Sequence, residues 1–321
     1  MQSALDPAGS QAAHISQQWW FYFTVLTAVF VLVAIFLFFA ISHRRPPQGE
    51  ASLEQLLPRD PTADARKSRF VIGCVIASVV ILFILLFSDV LTGTAVYALS
   101  SDPNALIIKV TGHQWWWEVQ YDDREPANIV TTANEVHVPT GRTVKIDLRS
   151  VDVIHSFWVP NLHGKKDLIP GHPTSTWLKA DRPGKYRGQC AEFCGHQHAH
   201  MRLDFVVESP EEFQAWVASQ RANAPAPSTP SQQHGQQVFL QSQCMTCHSI
   251  QGTNARASAG PDLTHFGSRT LLAAGALLNT PRDLADWISN PQNIKPGVRM
   301  PANQFNSDDL NALVDYLESL K

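Results

Sequence analysis

The feature that most constrains this chain is an uncharged run of 23 residues from Trp19 to Ile41. At a rise of about 1.5 Å per residue, a helix of this length measures roughly 34 Å and can cross the ~30 Å hydrocarbon core of a membrane. A second apolar run, from Phe70 to Phe87, has about the minimum length that a helix needs to span a membrane. The sequence therefore predicts a transmembrane hairpin within residues 1–94, with helices at about 19–41 and 70–90.

A cleaved signal peptide is the alternative interpretation of the first run. The 18 residues before it contain no lysine or arginine, and the run is longer than the ~7–15 residues of a signal core. We therefore expect a retained helix. Cys74 lies inside the second run and is predicted to serve as a small apolar side chain that faces lipid or the other helix.

The segment between the helices, residues 42–69, predicts the orientation of the hairpin. Its six basic residues are Arg44, Arg45, Arg59, Arg66, Lys67 and Arg69. Because basic loops are retained in the cytoplasm, we expect this segment to be cytoplasmic. In a bacterium, the chain would then lie in the inner membrane, with its N-terminus and everything after residue 90 on the periplasmic or extracellular side.

Charge and cysteine usage narrow the possible functions of the remaining chain. Residues from 90 onward hold 19 Lys and Arg against 22 Asp and Glu, so they carry the whole net charge of −3. These totals imply no basic face, and we expect no nucleic-acid partner. Four of the five cysteines form two close pairs, Cys190/Cys194 and Cys244/Cys247, and Cys74 stands alone. The spacings within the pairs favour metal or cofactor attachment over disulfides.

Residues 95–220 have the pattern of a β-sandwich. Short alternating or β-branched runs, separated by turn residues, occur at 105–110, 143–148, 175–179 and 203–207. This spacing is typical of an antiparallel sandwich or barrel. One helix is expected at 210–219, with Ser209 as its N-cap and Pro210 at the first helical position.

Residues 221–232 are rich in Pro, Ala and Ser and predict a semi-extended, flexible linker. Helical patterns follow at about 235–242, 281–289 and 308–320, and Ser307 is the expected N-cap of the last helix. The sequence thus predicts a small all-α domain over residues 233–321.

The segment from Cys190 to Met201 contains the densest chemistry of the chain. Two thiols, histidines and a thioether lie within twelve residues, and such soft donors favour copper. One cysteine, one histidine and one methionine would suit a mononuclear blue-copper site, whereas two cysteines can bridge two copper ions. A zinc site is the structural alternative. The loop offers His196, His198 and His200, and His155 is the candidate for a histidine from another strand.

Residues 244–248, Cys-Met-Thr-Cys-His, match the signature for covalent attachment of c-type haem, with His248 as the proximal ligand. A dithiol redox motif is the alternative, but it usually lies in a βαβ unit, which the pattern here does not predict. Met300 remains as the sixth ligand by elimination, because Met1 is terminal, Met245 lies between the cysteines and Met201 belongs to the other loop. A His/Met ligand pair raises the haem potential, as electron transfer requires.

These motifs resemble subunit II of the cytochrome c oxidases, whose copper A loop has the pattern Cys-x-Glu-x-Cys-x3-His-x2-Met. The resemblance implies a cupredoxin-like fold in which Cys190 and Cys194 bridge two coppers. It also implies that His155 and His198 bind one copper each, with Met201 and the Glu192 carbonyl as weak ligands. The Glu192 carboxylate would reach a magnesium ion shared with subunit I, and Trp115 would be the residue that receives electrons.

The C-terminal motifs resemble class I cytochromes c. Residues 295–301 are similar to the loop that carries the methionine ligand, and residues 260–263 to the loop whose proline carbonyl accepts a hydrogen bond from the proximal histidine. Pro261 is therefore the expected acceptor, a contact that orients the ring.

The whole arrangement resembles the cytochrome-fused subunit II of caa3-type terminal oxidases. It implies an electron-input subunit that takes electrons from an external donor, such as a cytochrome c or a cytochrome bc complex, through haem c and copper A to a haem in subunit I. Subunits I and III and membrane lipid are the expected partners, with oxygen reduction on another chain coupled to proton translocation. The start of the second helix, residues 65–70, departs from the proton-uptake pattern of the family and leaves Asp64 as the candidate there.

Three other functions share parts of this pattern. Copper-delivery proteins carry Cys-x3-Cys with a distant histidine but need neither Met201 nor a haem domain. A quinol oxidase subunit is expected to lack the copper ligands and the haem motif. A nitrous oxide reductase has the copper centre without the N-terminal membrane hairpin.

Overall fold

A computed structural model describes residues 2–43, 61–98 and 102–321. Arg44, Arg45 and Arg59 of the predicted cytoplasmic loop lie outside these residues. The chain divides into two units: residues 14–98 form one, and the residues before and after them form the other.

The unit of residues 14–98 consists of two helices that are long and apolar enough to cross a membrane, α1 (Ser10–Ser42) and α2 (Pro61–Tyr97). Both extend beyond the predicted limits, because an apolar run marks a membrane span while helical hydrogen bonding continues into polar flanks. The Tyr22 hydroxyl donates to the Leu85 carbonyl across 2.9 Å, and Gln18 Nε2 donates to Ser88 Oγ across 2.9 Å. Cys74 is exposed on α2.

The larger unit begins with a sandwich of ten strands. They are β1 (Leu106–His113), β2 (Trp116–Tyr121), β3 (Val130–Ala133), β4 (Glu135–Pro139), β5 (Thr143–Ser150), β6 (His155–Trp158), β7 (Lys166–Leu168), β8 (Thr174–Lys179), β9 (Gly184–Cys190) and β10 (Arg202–Glu208). Burial alternates along most of the strands, as in β1, where Ile108 and Val110 are fully buried. The apolar faces of the two sheets form one core.

The strand order is β3-β2-β1-β5-β8 in one sheet and β4-β10-β9-β6-β7 in the other. The predicted sandwich is confirmed, but its pairing is not wholly antiparallel. Strands β1 and β5 run parallel, as do β4 and β10. Alternation in a sequence shows which face of a strand is buried, but not which strand it pairs with or in which direction.

The first residues of the chain, which the sequence analysis grouped with the hairpin segment 1–94, are hydrogen-bonded to this sandwich. The Ala8 N–H donates to the Asn161 carbonyl across 2.7 Å, and the Asp181 N–H donates to the Ala8 carbonyl across 2.9 Å. Gln11 is fully buried and bridges β8 through the Trp177 carbonyl and the Lys179 N–H. The residues up to Ala13 therefore form an N-terminal strap on the sandwich.

Helix α3 (Pro210–Gln220) closes the sandwich and begins with the predicted Ser209 cap, which forms a reciprocal capping box with Glu212. A helical module follows, with α4 (Pro230–Gln241), α5 (Pro281–Ser289), α6 (Pro291–Ile294) and α7 (Ser307–Ser319). A short two-stranded ribbon, β11 (Leu271–Leu272) and β12 (Leu277–Leu278), precedes α5. The N-cap of α7 is Asn306 rather than the predicted Ser307, because Asn306 Oδ1 accepts the Asp309 N–H.

The segment predicted as a flexible linker packs against the helical module. Helix α4 starts at Pro230 with Thr229 as its cap, so part of the predicted linker is helical. The Ala224 N–H donates to the Gln251 carbonyl across 3.1 Å, and His265 Nε2 lies 3.2 Å from the Ala222 carbonyl oxygen. The sequence of this segment has no helical or strand periodicity, but that property carries no information about these long-range backbone contacts.

Candidate metal and haem sites

Two elements bring the predicted metal ligands together. Strand β6 pairs with β9 in the register Phe157 opposite Cys190, which places His155 beside the end of β9. The chain then forms a loop through Cys194 and His198 and returns where the Cys190 N–H donates to the Met201 carbonyl across 3.1 Å. Residues far apart in sequence thus meet at one end of the sandwich.

The side-chain donors of this loop form a sulfur-rich cluster. Cys190 Sγ lies 3.7 Å from Cys194 Sγ and 3.9 Å from His155 Nδ1. Cys194 Sγ lies 3.6 Å from His198 Nδ1 and 3.9 Å from Met201 Sδ. Ligand atoms of His155, Cys190 and Cys194 all lie within 4.8 Å of one another, which is a geometry that can hold metal.

The cluster is shielded from water. His155 is fully buried, and Cys190, Cys194 and Met201 are at most 3% exposed. Hydrogen bonding between the two sulfurs lowers the pKa of Cys190 to about 3 and raises that of Cys194. A buried pair of thiols that favours one thiolate is suited to bind a soft cation, since the thiolate is the metal ligand.

A polar contact behind the cluster fixes the imidazole of His155. Its Nε2 lies 2.8 Å from Asp152 Oδ1, which leaves Nδ1 directed at the sulfurs. Burial alone would raise the pKa of Asp152, but hydrogen bonds from His155, Val153 and Gln114 lower it. Sequence reasoning missed Asp152, although carboxylates commonly orient metal-binding histidines in this way.

The structure shows which other polar groups of the loop lie at the sulfur cluster and which point away from it. Of the three loop histidines, His198 lies at the cluster, whereas His196 and His200 are exposed. The Glu192 carbonyl oxygen is 3.2 Å from Cys190 Sγ. The Glu192 carboxylate points outward and lies 3.5 Å from Lys165 Nζ.

Trp115 lies directly against the cluster. Its Nε1 donates to the Cys194 carbonyl across 2.9 Å, and Gln114 Nε2 donates to the same oxygen across 2.8 Å. The side chain is 6% exposed. The neighbouring Trp116 stacks on His113 at a ring distance of 4.2 Å, and Trp117 is fully buried in the core.

A cavity of about 540 Å³ lies next to Trp115 and contains the predicted haem-binding residues. Cys244, Cys247, His248 and Met300 line it from the helical module, and His113, Trp115 and Trp116 line it from the sandwich. The sequence pattern did not predict the contribution of the sandwich, because no local signal records which domain covers an open face.

The orientation of His248 is set by the predicted partner. His248 Nδ1 lies 2.8 Å from the Pro261 carbonyl oxygen, and burial lowers the pKa of the imidazole. A neutral ring whose Nδ1 is hydrogen-bonded leaves Nε2 free to bind iron. Cys244 and Cys247 line the same cavity, where both thiols could reach a haem.

Two membrane-spanning candidates, a sandwich with a thiol-rich cluster and a cytochrome-like cavity define a class of membrane-anchored proteins that bind copper and haem. The family model of the cytochrome c oxidase subunit II periplasmic domain matches residues 124–209, and the cytochrome c model matches residues 232–321. This chain belongs to the cytochrome c oxidase subunit II family and carries a fused cytochrome c domain. Family membership implies copper A in the sandwich and haem in the helical module.

Similar proteins span most of the chain. Cytochrome c oxidase subunit 2 of Alkalihalophilus pseudofirmus is 36% identical over 99% of this chain and 91% of its own length. The Bacillus subtilis protein of the same name is 31% identical over 68% of this chain and 63% of its own length. The periplasmic domain of Bradyrhizobium japonicum oxidase subunit II is 34% identical, covering 37% of this chain and 96% of that domain, with a TM-score of 0.35.

Proposed function

We propose that this chain is the electron-input subunit of a haem-copper cytochrome c oxidase. It accepts single electrons from an external donor, a cytochrome c or a cytochrome bc complex, and passes them by way of its haem c and its copper A centre to haem in subunit I. Oxygen is reduced to water on that partner chain, and the reaction is coupled to proton translocation. The observation that carries the proposal is the position of Trp115, which lines the haem cavity and also hydrogen-bonds to the backbone of Cys194.

The donor set of the sulfur cluster fits two copper ions. Two sulfurs 3.7 Å apart can bridge both metals, and each side of the pair has its own imidazole, from His155 or His198. Met201 Sδ, 3.9 Å from Cys194 Sγ, and the Glu192 carbonyl oxygen, 3.2 Å from Cys190 Sγ, would serve as the weak ligands. Soft thiolate donors with imidazole suit copper, which would supply one-electron chemistry at this site.

The cavity of the helical module fits a covalently bound haem. Cys244 and Cys247 would form the thioether links, His248 would be the proximal ligand and Met300 the sixth ligand. The cavity is lined largely by apolar side chains, including Trp287 and Phe266, which would keep water from the iron and favour a high potential.

The outward-facing groups support the remaining proposals about partners. The Glu192 carboxylate, on the cluster loop but directed away from it, is proposed to reach a magnesium ion shared with subunit I. The helices α1 and α2 are proposed to contact lipid and the other oxidase subunits, subunit III among them, with residues 42–69 in the cytoplasm. Asp64, in the first turn of α2 with Lys67 Nζ 3.9 Å away, stays the candidate for a proton-uptake group.

The test is Cys194→Ser in the full chain, assembled in its oxidase and compared with Cys74→Ser, a change on the exposed surface of α2. We expect Cys194→Ser to abolish the mixed-valence two-copper signal in electron paramagnetic resonance while the absorption spectrum of haem c is unchanged. Cys74→Ser should retain both. A two-copper signal in the Cys194 variant, or a single copper or zinc in the parent protein, would contradict the proposed function.

A further inference from the structure

Lys295 is a lysine buried between the sandwich and the helical module. It is 2% exposed, although lysine is almost never fully buried without partners. Its Nζ donates to the Trp115 carbonyl across 2.7 Å and to the Ala273 carbonyl across 3.0 Å. Burial lowers the pKa of the Lys295 amine to about 7. One side chain therefore connects a turn of the sandwich with a turn of the helical module.

The turn that contains Ala273 is held in an uncommon conformation. Ala273 and Ala274 have φ values of 54° and 57°, in the left-handed region that residues other than glycine seldom adopt. Gly275 follows and touches the sandwich, since a Cβ there would lie 2.7 Å from Arg202 Cδ. Such strain persists where surrounding contacts determine the backbone, and here it directs the Ala273 carbonyl at Lys295.

The residues that follow Lys295 extend the contact between the sandwich and the helical module to the side chain of Trp115. We call Lys295–Pro301 the methionine loop, because it carries Met300. The Pro296 carbonyl accepts a hydrogen bond of 3.0 Å from Gln197, on the copper loop. The Trp115 indole then lies between two glycines, with a Cβ on Gly195 only 3.0 Å, and one on Gly297 only 3.3 Å, from its ring.

We propose that Lys295 is a positioning residue that holds the methionine loop against Trp115 and thereby sets the rate of electron transfer from haem c to copper A. The inference rests on the proposed function. The stability of the fold does not explain a lysine at position 295, because burying an amine costs hydration free energy that burying an apolar side chain of the same shape does not cost. Its N–H groups instead fix the distance and orientation of the loop that carries the sixth haem ligand.

The first experiment compares Lys295→Met with Lys321→Met, an exposed lysine at the C-terminus. One electron is injected photochemically into the haem of the assembled oxidase, and its passage from ferrous haem to copper is timed. We expect Lys295→Met to slow this transfer by about tenfold or more, because a misplacement of about 1 Å can cost a positioned reaction up to about a hundredfold. The midpoint potentials of both centres and the two-copper signal should stay unchanged, as in Lys321→Met.

The second experiment needs no variant and so covers the case in which Lys295→Met does not mature. The native protein is treated with an amine-acylating reagent, and the modification of each lysine is followed by mass spectrometry. We expect Lys295 to react at least about tenfold more slowly than Lys321, because its exposure requires local opening of the contact.

The outcomes separate this inference from the proposed function. An unchanged transfer rate in Lys295→Met, or equal acylation of Lys295 and Lys321, would overturn the positioning role while leaving the electron path intact. If the parent protein passes no electron from haem to copper, the proposed function fails, whatever the acylation result.

Discussion

At the scale of single residues, two glycines make room for the histidines that the sites depend on. A Cβ on Gly112 would lie 2.7 Å from Cδ2 of His155, and a Cβ on Gly260 would lie 2.7 Å from Cε1 of His248. Both contacts are closer than a methyl group and an imidazole allow. Each ring is thus held between a glycine on one side and its hydrogen-bond acceptor, Asp152 or Pro261, at the other.

Gly112→Ala is therefore expected to displace His155 and weaken copper binding. The matched control is Gly164→Ala, where an added Cβ meets nothing within 4 Å. We expect copper affinity to fall by about 10- to 100-fold, the range observed when a group that orients a metal-binding histidine is lost. Copper content after dialysis against a chelator measures the effect, with haem content as the internal reference. Equal copper retention in both variants would show that His155 tolerates the shift.

The spacing of the ligands was visible in the sequence, but their supports were not. Cys190, Cys194, His198 and Met201 fall on one short loop, so their chemistry could be recognised without a structure. Gly112 and Lys295 act on residues that are distant in sequence, His155 and Trp115, so no local pattern assigns them these roles. Asp152 lies only three residues before His155, but this spacing alone does not show that its carboxylate meets the imidazole. The roles of Gly112 and Lys295 follow from the packing of β1 against β6 and from the contact between the two modules.

At the scale of elements, the N-terminal strap gives the sandwich an additional edge contact. Asn161 is fully buried, and its side chain accepts the Ser3 N–H across 3.2 Å and donates to the Asp6 carbonyl across 2.8 Å. Arg182 also pairs with Asp6, with its Nη2 2.8 Å from Oδ1, but this exposed ion pair contributes little. The buried amide therefore attaches the strap more strongly than this ion pair does, and it acts together with Gln11 and the backbone of Ala8.

Asn161→Ala is expected to lower the free energy of unfolding of the sandwich by about 1–3 kcal/mol, because two hydrogen bonds to the strap are lost and each typically contributes about 0.5–1.5 kcal/mol. The control is Asn104→Ala at an exposed position, where a change within about 0.5 kcal/mol is typical. Chemical denaturation followed by tryptophan fluorescence measures both variants. Equal midpoints would show that the strap does not stabilise the sandwich. A soluble fragment that starts at residue 95 would lack the strap and should be weakened in the same way.

At the scale of the whole molecule, the strap and the charge pattern agree on the orientation in the membrane. Because residues before Ala13 are hydrogen-bonded into the sandwich, the N-terminus lies on the same side of the membrane as the copper and haem sites. A chain with two spans returns to the side on which it began. The six basic residues of the 42–69 segment favour the cytoplasmic side for that segment, in keeping with the orientation that we propose.

Fusions of a periplasm-dependent phosphatase test this orientation. We expect an inactive phosphatase after residue 50 and an active one after Lys321. A fusion partner active only in the cytoplasm, placed at the same two positions, should give the reverse pattern. Phosphatase activity at residue 50 would contradict the cytoplasmic assignment of the loop.

The sequence by itself determined the two apolar helices, the sandwich, the helical module and the donor types available at both candidate sites. These depend on local patterns: uncharged length, alternation, helix caps and the spacing of cysteine, histidine and methionine. The tertiary structure decided that β1 pairs in parallel with β5, and β4 with β10. It further decided that the first residues attach to the sandwich and that the segment predicted as a linker packs against the helical module. It also decided that the haem cavity is closed by the sandwich at Trp115 and joined to it by Lys295. Those features depend on contacts between residues up to 180 positions apart, and a local pattern carries no information about which distant surface will cover it.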